Sequence, residues 1–355
     1  MQWMIYGANG YTGELIAREA ARRGLFPILA GRNKQKLHEL ANELGLPYRT
    51  FPLTQAAEVH ESLIDIGLVL HCAGPFSVTA EPMQEACLTV GAHYLDITGE
   101  ISVFELTHSR VQSARARKKG IVLCSGVGFD VIPTDCVALR LKELMPDATH
   151  LSLGFDSDLA LSPGTTKTLI EGLGAGCVER VDGKLKATAL GSRHRHIDFG
   201  RGARSAMTIP WGDVSTAYYT TGIPNIQTWI PMPSPLVFGA RGLSFARPLL
   251  QVNAVQKLLK KLVERFVSGP DEAARAVMPT LVWGEAKNAA GDVVSVCIDI
   301  PNIYSMTVDG ALHITSHLLQ STIAGGSYTP AVLFGSSFIT KLPGSGNFKV
   351  IRSYS

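Results

Sequence analysis

The chain has little charge for its length and no apolar run long enough to leave water. Of its 355 residues, 18% are Asp, Glu, Lys or Arg, and the formal net charge is only +3. Acids and bases are interspersed, so the electrostatic footprint of a nucleic-acid surface is missing. No stretch approaches the ~18 consecutive apolar residues of a membrane-spanning helix. Residues 1–10 are too short for the apolar core of a signal sequence and already carry the start of a glycine motif, so no targeting segment is expected there. There is no internal repeat and no low-complexity tract. The six cysteines, at 72, 87, 124, 136, 177 and 297, form no CxxC pair and no metal-ligand spacing. They are expected to be small buried thiols in a reducing compartment, which points to the cytoplasm, and no metal site is expected.

Two kinds of oxidoreductase are disfavoured by what is missing. A Tyr with a Lys four residues later, the proton-donor pair of short-chain dehydrogenases, occurs nowhere. A nucleophilic Cys paired with a nearby His is also not found: Cys124 lies within an apolar strand pattern and no His neighbours it in sequence.

What is there begins at Gly7. Trp3–Tyr6 read as a short buried strand, followed by GANGYTG (7–13) and a helical pattern from Glu14 that stops at Gly24. Residues 27–30 read as a second strand, and 34–44 as a second helix stopped by Gly45. This is the strand, glycine turn, helix, strand order that a dinucleotide fingerprint requires within ~30 residues. Gly7 permits the tight turn. Gly10 lets a pyrophosphate approach the backbone, and Gly13 lets the helix pack close to the strand. Asn9, Tyr11 and Thr12 complete the loop, whose N–H groups would face the phosphates. A turn with no ligand is the competing reading.

The end of the second strand selects the cofactor. An NAD site usually has Asp or Glu there for the ribose 2′-OH. This chain has Arg32, followed by Asn33 and Lys34. A guanidinium grips a 2′-phosphate in bidentate fashion, so NADP(H) is expected. An ordinary surface arginine is the alternative.

The alternation continues. Residues 67–73 read as a strand ending at Gly74-Pro75-Phe76, which places Ala73, Gly74, Pro75 and Phe76 at a carboxyl edge, beside the cofactor. Helix 80–91, strand 92–97, helix 102–119 and strand 120–125 follow. Candidate proton donors are polar groups at these strand ends, expected to face a cleft between two domains: Asp96, Glu100, Asp130 and Asp135, with Thr98, Tyr94 and His71 behind them. Asp96 and Asp130 are the candidate catalytic pair. Asp96 is equally readable as a turn cap, and Asp130 or Asp135 as caps of a helix starting near Pro133.

GANGYTG, AGRN, HCAGPF, YLDITGE, GFDVIPTD (128–135) and GGSYTPA (325–331), taken together and in order, resemble the saccharopine dehydrogenase-like oxidoreductases. The branch is the one with trans-acting enoyl reductases and the mammalian saccharopine dehydrogenase-like protein. SPGTTKT (162–168) and WGDVSTAYYTTGIPNI (211–226) agree with it. The resemblance implies an α/β fold: a Rossmann-type doubly wound parallel sheet, plus a second α+β domain on a mixed or antiparallel sheet. It implies a homodimer and a chain end that returns to the first domain. The expected bounds are therefore 1–130 plus 305–355 for the NADP-binding domain and 131–304 for a substrate and dimerisation domain. It fixes no substrate. Reduction to saccharopine itself would need several cations for the carboxylates, and only a scatter of Arg193, Arg195, Arg201 and Arg204 is seen.

The middle of the chain has short alternating stretches at 149–156, 194–200 and 293–300, which suit an antiparallel or mixed sheet. Residues 164–178, 252–267, 311–323 and 331–341 read as helices, with Thr165, Thr166 and Lys167 opening the first. Residues 222–250 hold five prolines and only two charges, Arg241 and Arg247. They read either as a connection packed on its own core or as a mobile apolar flap that suits an acyl substrate and peripheral lipid contact. The leading function is an NADP(H)-dependent reductase of a C=C, C=O or C=N bond in a small-molecule, acyl-type substrate. The alternatives are a non-catalytic NADPH-binding sensor or scaffold, and a lipid-surface-associated protein.

Overall fold

A computed structural model describes residues 1–157, 176–235, 237 and 280–353. The chain divides into two compact units, 1–132 with 304–333 and 133–303 with 334–355.

The first unit is built on a seven-stranded sheet. Its strands are β1 (Gln2–Tyr6), β2 (Ile28–Gly31), β3 (Tyr48–Thr50), β4 (Ile66–His71), β5 (His93–Asp96), β6 (Val122–Cys124) and β15 (Gly326–Ser327). The spatial order is β15-β6-β5-β4-β1-β2-β3 and every neighbouring pair is parallel. The strand order reverses between β1 and β4, which puts the ligand crevice of such a sheet at the carboxyl ends of these two strands. Helices α1 (Tyr11–Arg22), α2 (Lys34–Leu44), α3 (Ala56–Leu63), α4 (Phe76–Val90), α5 (Ile101–Thr107) and α6 (Arg110–Lys119) alternate with the strands. The strands are apolar because they are covered. Met4, Val69, Tyr94 and Leu123 meet Val59, Leu63, Met83 and Cys87 in one core, each at most 1% exposed. Truncating one such side chain to Ala costs about 2–5 kcal/mol. The expected helix over 102–119 is two helices. Ser109 breaks it, because its hydroxyl accepts the Gln112 N–H at 3.3 Å and starts α6 afresh.

The second unit opens with α7 (Ile132–Leu144), nearly all of which lies in it. Its nine-stranded sheet comprises β7 (His150–Ser157), β8 (Cys177–Val181), β9 (Lys184–Thr188), β10 (His194–Asp198), β11 (Ala203–Ile209), β12 (Asn225–Pro231), β13 (Thr280–Lys287), β14 (Val293–Ile300) and β16 (Lys349–Ser353). The sheet is mixed: β12 pairs parallel with β7, and the other pairs are antiparallel. Helix α8 (Asp213–Thr221) lies between β11 and β12 in sequence. Helix α9 (Ile303–Gln320), nearly all of it in the first unit, then leads to β15 and to α10 (Pro330–Phe334), most of which closes that unit.

Four expectations need correction. Residues 334–355 belong to the second unit, because β16 pairs with β14, Lys349 opposite Cys297 and Ser353 opposite Val293. The helix expected over 331–341 is α10 followed by a separate 3₁₀ turn at Ser336–Lys341. Cys177 and Val178 are strand β8; the rest of the helix expected over 164–178, up to residue 175, lies outside the described residues, as does 252–267. Of the two readings of 222–250, the mobile apolar flap fails for 225–231, which is an interior strand. Ile226 is fully buried and Trp229 is 4% exposed, with β7 on one side and β11 on the other. The alternation of Ile226 and Thr228 with Gln227 and Trp229 is a strand period, and Pro231 sits at the strand's end. Residues 236 and 238–250 lie outside the described residues.

Candidate dinucleotide site

The loop after β1 is closed by contacts that forbid side chains. Gly7 has φ +87°, and a Cβ there would lie 2.8 Å from the Ala73 nitrogen and 2.8 Å from its Cβ. A Cβ on Gly13 would lie 2.2 Å from the Gly7 carbonyl oxygen. These two glycines let the ends of β1 and β4 and the first turn of α1 close on one another. Gly31 plays a similar part beside Asn9, whose Oδ1 would lie 2.9 Å from an added Cβ. Asn9 is thereby laid across the end of β2.

Gly10 is different. Its φ of −84° and ψ of 162° are open to any residue, and an added Cβ would meet only the Gly7 oxygen, at 3.3 Å. The protein's own packing leaves that side free. Gly10 is the N-cap of α1, and no side chain caps the helix. The first turn of α1, which has no side-chain cap and bare backbone in front of it, fits a pyrophosphate. At the end of β2, Arg32 is exposed and makes no hydrogen bond or ion pair with another described residue. Asn33 caps α2, accepting the Lys36 N–H at 3.1 Å. Gly31, Arg32 and Asn9 therefore share one strand end, where a ribose would sit in this fold.

The β4 end differs in role from its neighbours. Gly74–Pro75 is cis, and Pro75 is the N-cap of α4. The Glu100 carboxylate accepts the N–H groups of Phe76 (2.8 Å) and Ser77 (2.6 Å). That helix terminus already holds an anion, so of the two helices that start at the carboxyl ends of β1 and β4 it is α1 that is left for a phosphate. Glu100 is therefore a capping residue. Thr98 supports it, accepting the Glu100 N–H at 3.0 Å. Behind them His71 is fully buried between Tyr6, Phe76 and Tyr94, and burial holds its pKa down to about 3. It is a neutral core imidazole.

The two candidate acids part company. Asp96 is completely buried. Its Oδ1 accepts the N–H groups of Thr98 (3.0 Å) and Gly126 (2.9 Å), and its Oδ2 accepts the hydroxyls of Tyr94 (2.8 Å) and Ser125 (2.7 Å). Behind Ser125 the network continues to the Thr107 hydroxyl (2.8 Å), which accepts the Gln84 amide N–H (2.7 Å), all buried. Burial pushes Asp96 up to about 6 against these four donors. It ties the carboxyl edge of β5 to that of β6. Asp130 stands after β6 with its carboxyl against Gly99, where a Cβ would lie 2.8 Å from Oδ2. It keeps partial exposure, and burial pushes it up to about 7. Asp135 lies in the second unit, where it accepts the Thr220 hydroxyl. Among the described residues there is no cluster of metal-ligating side chains, and no helix is long and apolar enough to cross a membrane. Thr165, Thr166 and Lys167 lie outside the described residues.

The strand order and this loop define a Rossmann-type protein built for a nicotinamide dinucleotide, with a second mixed-sheet unit. Residues 3–124 match the family model described as the saccharopine dehydrogenase NADP binding domain. The chain is 29% identical over 196 residues to a saccharopine dehydrogenase-like oxidoreductase of Mus musculus, covering 48% of this chain and 46% of the relative. It is 32% identical over 143 residues to a trans-acting enoyl reductase of Mycobacterium ulcerans, covering 37% and 33%. It thus spans about half the length, or less, of these curated relatives. The solved structure of saccharopine dehydrogenase (L-Glu forming) from Saccharomyces cerevisiae shares the fold, with a TM-score of 0.69 over 99% of each chain at 10% identity.

Proposed function

We propose that this chain is an NADP(H)-dependent oxidoreductase that reduces a C=C, C=O or C=N bond of a weakly charged, acyl-type small molecule. The observation that carries the cofactor choice is Arg32, an exposed guanidinium without a partner among the described residues, where an NAD site would hold a carboxylate. Gly7–Gly13 would hold the pyrophosphate, and Arg32 the 2′-phosphate. Ala73–Phe76 line the neighbouring strand end. A bound nicotinamide dinucleotide supplies the hydride. Asp130 is the proposed proton donor, because it combines partial exposure with a carboxyl that stays substantially protonated near neutrality. Asp96 is proposed to act behind it, fixing the loops after β5 and β6.

The second unit supports a substrate without several carboxylates. Arg193 is paired with Glu179 at 2.9 Å, Arg195 with Glu285 at 2.8 Å and Arg204 with Asp156 at 2.6 Å. Three of the four arginines of that scatter are thus neutralised inside the chain and are poor recognition groups for a polycarboxylate, which leaves only the exposed Arg201 among them. A homodimer is carried as part of the proposal. A reducing compartment is too, since none of the six cysteines is in a disulfide.

Fluorescence titration with NADPH and NADH tests the cofactor reading. A charge-assisted contact contributes about 1.5–3 kcal/mol, so NADPH should bind about tenfold to a hundredfold more tightly. Arg32→Asp should reverse the preference. Equal affinities in the native chain would overturn it.

A further inference from the structure

Helix α9 contributes nothing to the strand edge itself, yet its first two turns touch both halves of the candidate site. Tyr304 meets Tyr11, at the start of α1, edge-on with ring centroids 5.1 Å apart. One turn later, Thr307 Oγ1 accepts the Phe129 N–H at 3.0 Å. The Thr307 methyl lies 2.8 Å from where a Gly128 Cβ would be, so the helix is pressed against the backbone that leads into Asp130. Gly310, a further turn along, allows that approach: its Cβ would lie 2.5 Å from Ile132 Cδ1 and 3.6 Å from the Val127 oxygen. Asp309 pairs with Arg23 at the far end of α1. Residues i, i+3 and i+6 of one helix therefore bear on the glycine loop and on 127–132 together. All of these residues lie within the first unit.

We propose that Thr307 is a positioning residue for Asp130, and that α9 transmits the occupancy of the glycine loop to it through Tyr304. The proposal rests on the reading of Gly7–Gly13 as the cofactor loop and of Asp130 as the acid. The physical basis is that the Phe129 N–H is a buried donor whose acceptor is one β-branched side chain with few rotamers. Asp130 follows directly, and its carboxyl lies against Gly99. A small shift of α9 on ordering Tyr11 therefore moves, or stills, the Asp130 backbone. This gives a cofactor-free enzyme a looser acid and a cofactor-loaded one a fixed acid.

Hydrogen exchange read by mass spectrometry, with NADPH as the probe, tests it without a known substrate. In the native chain NADPH should slow exchange in peptides covering 7–13 and 126–132 alike. Thr307→Val keeps the shape and removes the acceptor. Protection of 7–13 should persist and the NADPH-dependent protection of 126–132 should be lost. Thr307→Ser, which keeps the hydroxyl, should restore it. Tyr304→Leu should give the same loss from the other end with Thr307 intact, and it decides the matter if the Val variant fails to fold. Unchanged protection of 126–132 in both the Val and Leu variants would mean that the loop is ordered without α9, and the proposal falls. Protection of 7–13 alone in the native chain also overturns it. If NADPH protects neither peptide in the native chain, the cofactor reading fails first and the proposal with it.

Discussion

Asp130 sits in a folded environment that disfavours its charge, and this has a consequence measurable without any substrate. Its pKa is raised from 3.8 to about 7, with burial as the cause. Between those values the native state holds a proton that the unfolded chain has released, so this group's contribution to stability falls as pH rises from about 4 to 7. His71 and His108, lowered by burial to about 3 and about 4, act in the opposite direction over part of the same window. The test is therefore a difference. The stability of Asp130→Asn relative to the native chain should grow as pH rises from 4.5 to 7.5, as read by urea unfolding. Each pKa unit is worth about 1.4 kcal/mol, but Asp130 keeps partial exposure and water screens it, so a gain of about 2 kcal/mol is expected. A pH-independent difference would show that the carboxyl ionises normally. Asp96 offers no such clean test, because four hydrogen-bond donors would lose their acceptor with it.

At the scale of elements, the β1–α1 turn separates two uses of glycine. Gly13→Ala places a methyl 2.2 Å from a backbone oxygen and should cost about 1–3 kcal/mol or more in stability. The Cβ of Gly10→Val meets, beyond its chain neighbours, only the Gly7 oxygen, at 3.3 Å. It should leave the melting temperature close to native while abolishing NADPH binding, as calorimetry and fluorescence titration would show. Normal binding by that variant would place the phosphates elsewhere. This turn was readable from the sequence because its constraints are local: three glycines, a strand and a helix within thirty residues. Helix α2 was readable over its full length, between its Asn33 cap and its Gly45 stop, for the same reason. Elements held by distant partners were not. Strand β16 is short and polar at its ends, and only its pairing with β14 makes it a strand. Glu100 reads as an acid beside a glycine until the N–H groups it caps, more than twenty residues away in sequence, are seen. Thr307 meets Phe129 across 178 residues and leaves no mark in either stretch. Asp96 and Asp130 were recognisable as strand-end carboxylates, but which one is saturated by donors depends on Tyr94, Ser125 and Gly126 converging in space.

At the scale of the molecule, the family match at 3–124 is not a self-sufficient piece. Beyond it the first unit still needs α9 and β15, which pairs with β6 through Gly326–Val122 and Ser327–Leu123. A fragment of residues 1–132 would lack its brace and expose the edge of β6, whose three residues Val122–Cys124 are fully buried in the intact chain. We expect that fragment to aggregate or to melt without a cooperative transition, as light scattering and circular dichroism would report. A monomeric fragment with a sharp melt would show that α9 and β15 are dispensable.

The same interrupted layout sets a timetable during synthesis. About 200 residues separate β6 from β15, and at roughly 5–20 residues per second the ribosome needs about 10–40 s to make them. Through that interval the nascent first sheet carries a bare, wholly apolar border. The emerging second unit cannot finish either, because β16 follows β15 off the ribosome. Neither half can be completed before the other is nearly made, so the birth of this protein is a period of exposure that a chaperone holding the growing chain would be well placed to cover.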